Sequence, residues 1–518
     1  MADTQILIAG AGPTGLVLAL WLRRLGAAVR IIDKAAEPGT TSRAVAVQAR
    51  TLEYYRQIGL ADRLLADGYR FDALNFWIRG KPAAHVPLGE IGKGVSPYSF
   101  MLIYPQDQHE RLLIERLAAL GVKVERPVEL VDFTETPDGI RARLRRGDGS
   151  EETCRAAYLA GCDGAHSKVR EKLGTGFPGG TYARLFYVAD VEARGPVMNG
   201  ELNVALDTAD FLGIFPLKGA GRARFIGTVR ADAAARHEGL TWDDVSGGII
   251  ERTKVSVDRV NWFSTYHVHH RVAEHFRRSR AFLLGDAGHI HSPVGGQGMN
   301  TGIGDAVNLA WKLAAVVQGR AHAAILDSYE PERIAFARRL VATTDRIFTL
   351  VTAEGGLARF LRLQLVPRVV PPLLSTKAMR RFLFRTVSQT GINYRESRLS
   401  LGRAGGVQGG DRLPWIILGE PAAGYADNHA PLAALDWQVH VYGEAEPALG
   451  DTCRKRGLAL HVFAWHDAMA EKGLERGAVY LLRPDGYVGL ADATARPAML
   501  EAYLDEFGIA ASGRRHQP

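Results

Sequence analysis

Gln5-Ile6-Leu7-Ile8-Ala9 runs directly into Gly10-Ala11-Gly12-Pro13-Thr14-Gly15, and Leu16-Val17-Leu18-Ala19-Leu20-Trp21-Leu22 follows without a break. The apolar pentad reads as a buried parallel strand, the glycines as a turn, and the second apolar run as a helix ending near Gly26. A second strand, Val29-Arg30-Ile31-Ile32, then delivers Asp33 and Lys34. Strand, GxGxxG, helix, strand and acid, in that order, predict a Rossmann-type dinucleotide-binding unit. Gly10 permits the tight turn, Gly12 leaves room for a pyrophosphate, and Gly15 lets the helix pack close to the strand. Pro13 suits the first helical position. Thr14 follows it in the first turn, whose free N–H groups and dipole attract phosphate. Asp33 is placed to accept from a ribose diol. Alone, the unit does not separate NAD from FAD.

With 518 residues and 47% hydrophobic content, the chain can bury a large core divided among two or three domains. The formal charge of +8 is spread along the chain and its densest knots, Arg277-Arg278-Ser279-Arg280 and Arg380-Arg381, are short. That pattern fits a solvated face or attraction of an anionic nicotinamide dinucleotide better than a nucleic-acid footprint, and no nucleic-acid partner is expected. No apolar run is long enough to cross a bilayer, so no membrane partner is expected either. Met1-Ala2-Asp3-Thr4 carries no basic leader, and Cys154, Cys162 and Cys453 form neither a CxxC nor a zinc-spaced set. A cytoplasmic, reduced setting is expected, with no metal.

Two later stretches repeat the strand-to-turn theme. Tyr158-Leu159-Ala160-Gly161 leads into Cys162-Asp163-Gly164 and a helix start with Ser167 and Arg170. Ala281-Phe282-Leu283-Leu284 leads into Gly285-Asp286, the loop from Pro293 to Asn300, and a helix expected from about 301 to 317. With these motifs in order, nearly the whole chain resembles the class A flavoprotein aromatic hydroxylases of the larger type, such as the polyketide, rifampicin and phenol hydroxylases. The resemblance implies FAD as cofactor, NAD(P)H as co-substrate and O2 as oxidant. It implies that Asp286 and Gln106 meet the ribityl chain, that Gly296, Gly298, Met299 and Asn300 meet the pyrimidine edge, and that Leu130 lies against the adenine. Asp163 and Gly164 would support the flavin site and the approach of NAD(P)H. Arg43 and Pro293 stand at family positions beside the flavin and are the candidate catalytic residues. Two departures stand out: the second strand ends in Asp33-Lys34 rather than Glu-Arg, and His166 replaces a frequent Arg. A β-branched residue at Gly298 is expected to collide with the flavin edge or force the loop off its backbone angles.

Other residues have plainer readings. His289 and His291 lack a third ligand nearby, and Tyr266-His267-Val268-His269-His270 alternates like a strand. Ser167 has no triad partners. Runs such as Leu74-Asn75-Phe76-Trp77-Ile78 and Ala223-Arg224-Phe225-Ile226-Gly227 predict a mostly antiparallel sheet roofing the substrate site, with Phe211, Phe215 and Pro216 read as core or substrate contacts. The expected division is α/β: FAD-binding pieces at 1–72, 99–183 and 271–350, substrate-domain pieces at 73–98 and 184–270, a helical linker at 351–400, and a C-terminal domain at 401–518. Pro484-Asp485-Gly486 turns a hairpin in that last domain, which looks thioredoxin-like but carries only Cys453 and so no dithiol chemistry.

The implied activity is hydroxylation of a phenolic aromatic, a polycyclic polyketide or substituted phenol, via a flavin hydroperoxide. A flavoprotein reductase of a quinone or isoprenoid, or a non-catalytic dinucleotide-binding protein, are the competing readings. A halogenase is disfavoured because its Trp-x-Trp-x-Ile-Pro signature is absent. A homodimer is left open.

Overall fold

The computed structural model describes residues 3–39, 44–89, 91–207, 211–230, 233, 236, 239–245, 247–292, 294–352, 376–418 and 425–511. Arg43 and Pro293 therefore lie outside the described residues.

The strand predicted at Gln5–Ala9 is observed as Thr4–Ala9, an interior strand of a seven-stranded sheet. Val29–Ile32 flanks it on one side and Glu151–Gly161 on the other, both parallel, and Ala281–Leu283 is parallel to the latter. Fully buried Ile6, Leu7 and Ile8 explain why this strand is apolar on both faces. Register aligns Ala9 with Ile32, Ala9 with Gly161, and Gly161 with Leu283. All four parallel strands thus end at one edge of the sheet, and each sequence motif leaves from that edge. Helices Pro13–Arg24, Gln106–Ala119 and Gly298–Val317 carry the packing. The last begins at Gly298, three residues before the expected start, because the first turn is built from the loop glycine itself. The helix Ala49–Gln57 is preceded by the short strand Ala46–Val47.

A second sheet has eight strands, all but one pair antiparallel; Leu202–Leu206 runs parallel to Ala73–Ile78. The histidine-rich stretch lies in its long strand Ser256–Val272. One face packs on Leu212, Ile214, Phe225 and Tyr187 to form a separate core. A third, six-stranded sheet from 401 to 492 carries the predicted hairpin, Val479–Leu482 with Val488–Asp492. Its Pro484-Asp485-Gly486 turn is buried, with Asp485 only 1% exposed, whereas such turns usually face solvent. No helix among the described residues is long and apolar enough to cross a membrane.

Candidate active site

The glycine turns interlock. Gly10, at φ +102°, leaves no space for a side chain, since a Cβ there would overlap the Cys162 carbonyl, and one at Gly15 would overlap the Gly10 carbonyl. A Cβ at Gly285 or at Gly302 would run into the Thr14 hydroxyl. Cys162 and Thr14 therefore bring the first motif against the second and third. Gly12 is the exception: nothing lies within 4 Å of where its Cβ would be. It caps the helix that Pro13 opens, and no side chain caps that helix. Exposed main-chain N–H groups thus face open space at the strand ends.

Asp33 is engaged at both carboxylate oxygens. Oδ2 accepts from the Ala11 N–H at 2.7 Å, and Oδ1 accepts from the Ala35 N–H at 2.8 Å. Arg126 approaches Oδ1 at 3.2 Å and donates to the Ala11 carbonyl at 3.3 Å. The acid thus braces the glycine turn as well as facing the site, and Lys34 beside it is exposed. Arg126 was not legible in the sequence, because nothing in its own neighbourhood points to the turn. Leu130 is buried in the strand Val128–Thr136, whose first N–H donates to the Asp33 carbonyl at 2.8 Å.

Asp163 serves the fold directly. It accepts from the Ser167 hydroxyl at 2.6 Å and from the Lys168 and Val169 N–H groups at 2.7 and 3.1 Å, so it caps the following helix. Gly164, at φ +78°, faces open space. Arg170 donates to the Ala287 carbonyl at 2.9 Å and joins this turn to the third motif. Asp286 is exposed between buried Gly285 and Ala287, so its carboxylate belongs to the open edge. Gln106 opens its helix, accepts from the Ala44 N–H at 3.3 Å and donates to Glu110 at 2.8 Å. Burial holds the Glu110 carboxyl above the usual range.

Gly295 and Gly296 both take positive φ, 75° and 62°. Asn300 locks the loop they form: its amide donates to the Ala46 and Gly296 carbonyls, and its oxygen accepts from the Gln48 N–H and the Thr51 hydroxyl, all within 2.9 Å. Met299 packs on the main core. The expectation for Gly298 needs correction as regards the protein itself. Its φ is not positive, and a Cβ would meet only His291, at 3.8 Å, so no backbone strain demands glycine there.

Behind the third motif lies a buried charge network. Asp305 accepts from the Gly285 N–H at 3.0 Å and from Arg333 at 2.6 Å, and His289 is 2.7 Å away. His289 is thus committed to Asp305, and among the described residues no group of three potential metal ligands occurs. The signal for this network was present in the sequence. Asp305, Asn308 and Lys312 form a polar stripe at helical spacing in an otherwise apolar helix.

The eight-stranded sheet turns its other face toward these loops. Arg224, wholly buried, pairs with Asp190 at 2.6 Å and donates to the Ala44 carbonyl at 3.1 Å. Register puts Phe76, Val204, Gly213, Phe215, Ile226 and Trp262 on that same face. Phe215 joins Val45 and Ile103 in one apolar cluster. Phe76, Val204, Phe215 and Trp262 stay partly exposed and form an aromatic-rich face. Phe211 and Phe215 close over Gly213, each ring 3.3 Å from where a Cβ would be. Pro216 is buried at the end of that strand.

Open space at Gly12, an exposed Asp286 and helix N-termini without side-chain caps at Pro13 and Gly298 fit a flavin dinucleotide. Comparison with known proteins agrees. The FAD binding domain family matches residues 3–344. The chain is 34% identical to the 6-methylpretetramide 4-monooxygenase of Streptomyces rimosus, over 96% of this chain and 93% of that one. It is 37% identical to the dialkyldecalin synthase of Streptomyces rugosporus, over 68% and 73%. The solved anhydrotetracycline hydroxylase OxyS of Streptomyces rimosus superposes with a TM-score of 0.78 at 28% identity, covering 98% of this chain and 99% of that one. The chain belongs to the FAD binding domain family of class A flavoprotein aromatic hydroxylases.

Proposed function

We propose that the protein is an NAD(P)H- and O2-using monooxygenase that hydroxylates a polycyclic, phenolic aromatic of the polyketide kind. The observation that carries the substrate class is the half-exposed aromatic face of the eight-stranded sheet, built opposite the glycine loops. A flat, multi-ring substrate buries more apolar area there than a single phenol ring, at about 25 cal/mol per Å².

In this reading the seven-stranded sheet is a Rossmann-like unit in three pieces (1–72, 99–183, 271–350). The antiparallel sheet is the substrate domain (73–98, 184–270), 351–400 links, and 401–518 is a thioredoxin-like domain without thiol chemistry. Bound FAD would supply hydride acceptance from NAD(P)H and activation of O2. The chain's own residues bind, orient and exclude water. Gly12, Thr14 and Gly15 present main-chain N–H groups to the pyrophosphate, Pro13, which has no N–H, sets the first helical turn, and Gly10 holds the glycine turn. Asp33, steadied by Arg126, accepts a ribose hydroxyl with Lys34 beside it, and Leu130 backs the adenine end. Asp286 and Gln106 take the ribityl hydroxyls. Gly296, Gly298, Met299 and Asn300 offer the first turn of a helix to the pyrimidine edge, where its dipole favours negative charge. Asp163 positions Gly164. Arg43 and Pro293 are assigned from family position. We place the protein in the cytoplasm.

A screen of polycyclic phenols for substrate-stimulated NAD(P)H oxidation tests the reading, with mass spectrometry of the product. Gain of one oxygen is expected. Turnover of a substrate with no change in mass, or NAD(P)H consumption without any oxygenated product across the panel, would overturn it.

A further inference from the structure

A cleft of about 280 Å³ opens where the helix Lys377–Val387 meets the C-terminal sheet and the loop 94–95. Its charged lining is unbalanced: Arg381, Arg385, Arg395, Arg412 and Lys472 face Asp411 and Glu471. Three of the cations are committed. Arg395 pairs with Asp411 at 2.7 Å, Arg412 pairs with Glu53 at 2.8 Å, and the Lys472 amine donates to the Gly94 carbonyl. Arg381 and Arg385 have no carboxylate at ion-pair distance among the described residues. They stand four residues apart on one helix face, an arrangement that destabilises a helix unless an anion lies between them.

Two further observations point the same way. Trp415 lines the cleft and carries a buried Nε1–H with no acceptor among the described residues. Partial burial, followed by the Arg412 charge, lowers the Arg385 pKa; burial and then Arg381 lower that of Lys472. Both shifts are those of partly buried cations crowded together, whose neighbouring carboxylates, Asp411 and Glu471, offset the crowding only in part.

We infer that this cleft binds a phosphoryl oxyanion, with Arg381 and Arg385 as its main ligands and the Trp415 indole as a neutral donor. Guanidinium forks match tetrahedral oxyanions bidentately, which favours phosphoryl over halide. Two sources share this chemistry, the 2′-phosphate of NADPH and a free phosphate. The site stands whether or not the chain oxidises NADPH.

The test uses full-length, FAD-loaded protein with inorganic phosphate and with 2′-AMP, titrated at constant ionic strength and read by thermal shift and calorimetry. Wild type is expected to bind phosphate at least tenfold more tightly than Arg381→Ala/Arg385→Ala. Without phosphate, the double variant should melt no lower than wild type, because it relieves repulsion; Arg381→Gln alone repeats the test if the double variant does not purify. If the NADPH-over-NADH preference in kcat/KM also falls about tenfold, the 2′-phosphate is the ligand. If the preference holds while phosphate affinity is lost, the ligand is a free phosphate. Equal phosphate affinity in wild type and variant, or a wild-type shift that sodium chloride reproduces, overturns the proposal.

Discussion

Single residues at the flavin edge divide into those that build the turn and those that face outward. Gly10 builds it: with φ at +102° and the Cys162 carbonyl against its α-carbon, Gly10→Ala adds both strain and overlap, on the order of 1–3 kcal/mol each. Gly12→Ala adds neither, since φ is −77° and the space is open. Gly12→Ala is therefore expected to fold with an unchanged Tm in the FAD-free state yet retain little FAD, whereas Gly10→Ala should lose stability first. Melting curves of apoprotein beside absorbance at the flavin band separate the two, and equal FAD retention in Gly12→Ala and wild type would place the pyrophosphate elsewhere. Asp286 stands exposed at the same edge, where Asp286→Ala tests the ribityl contact. It should weaken FAD binding by about 1–3 kcal/mol, the worth of a charge-assisted hydrogen bond, measurable as flavin release on dilution.

At the scale of elements, buried charge joins the flavin unit to the C-terminal sheet. Arg483 and Lys312, both fully buried, share Glu332 at 2.8–2.9 Å. Asp485 pairs with Arg483 at 2.6 Å and accepts from the Trp311 indole at 3.0 Å. Arg50 reaches the Asp485 carbonyl at 2.7 Å. The Arg483 and Lys312 charges hold the Glu332 carboxyl far below the usual range against the opposing effect of burial. Replacing Glu332 by Ala leaves two buried cations with one fewer counter-charge, and should cost about 3–5 kcal/mol. Denaturant unfolding measures this; a loss under 1 kcal/mol would show that the network does not hold the two units together.

For the whole molecule, pH and truncation probe the assembly. Burial pushes the pKa of His109 down to about 3 and that of His429 to about 4. Each is neutral in the folded state and titrates near 6.5 when unfolded, so the unfolded chain takes up more protons below that pH. Their contribution is complete above about pH 6.5 and is lost as pH falls toward 4, ahead of the carboxylates. A Tm that stays flat from pH 7 to about 4.5 would contradict this. Removal of 401–518 would uncover Trp311, Lys312 and Glu332 together, and the truncated protein should aggregate, as light scattering would reveal. Cys453 lies in an apolar cluster and burial raises its thiol to about 11, so it remains protonated and unreactive. Cys453→Ser should keep wild-type turnover while losing about 1–3 kcal/mol of stability to a buried hydroxyl. Lost turnover with FAD still bound would assign that thiol a chemical role.

The sequence by itself determined what depends on a few consecutive residues. Short apolar runs bounded by glycines marked the strand and helix observed at Thr4–Ala9 and Pro13–Arg24, and glycines marked the turns, because positive φ at Gly10, Gly164 and Gly296 is a local demand. The Pro484-Asp485-Gly486 hairpin was legible for the same reason. Only the tertiary structure decided which groups meet. It put Thr14 between Gly285 and Gly302, joined one Asp33 oxygen to the Ala11 N–H of the turn and the other to the Ala35 N–H, and set Asp163 on the first N–H groups of the following helix. It also buried the hairpin turn among charges from helices more than a hundred residues away. Such outcomes depend on the water each group loses and the partner it gains on assembly, and neither quantity is written in the neighbouring residues.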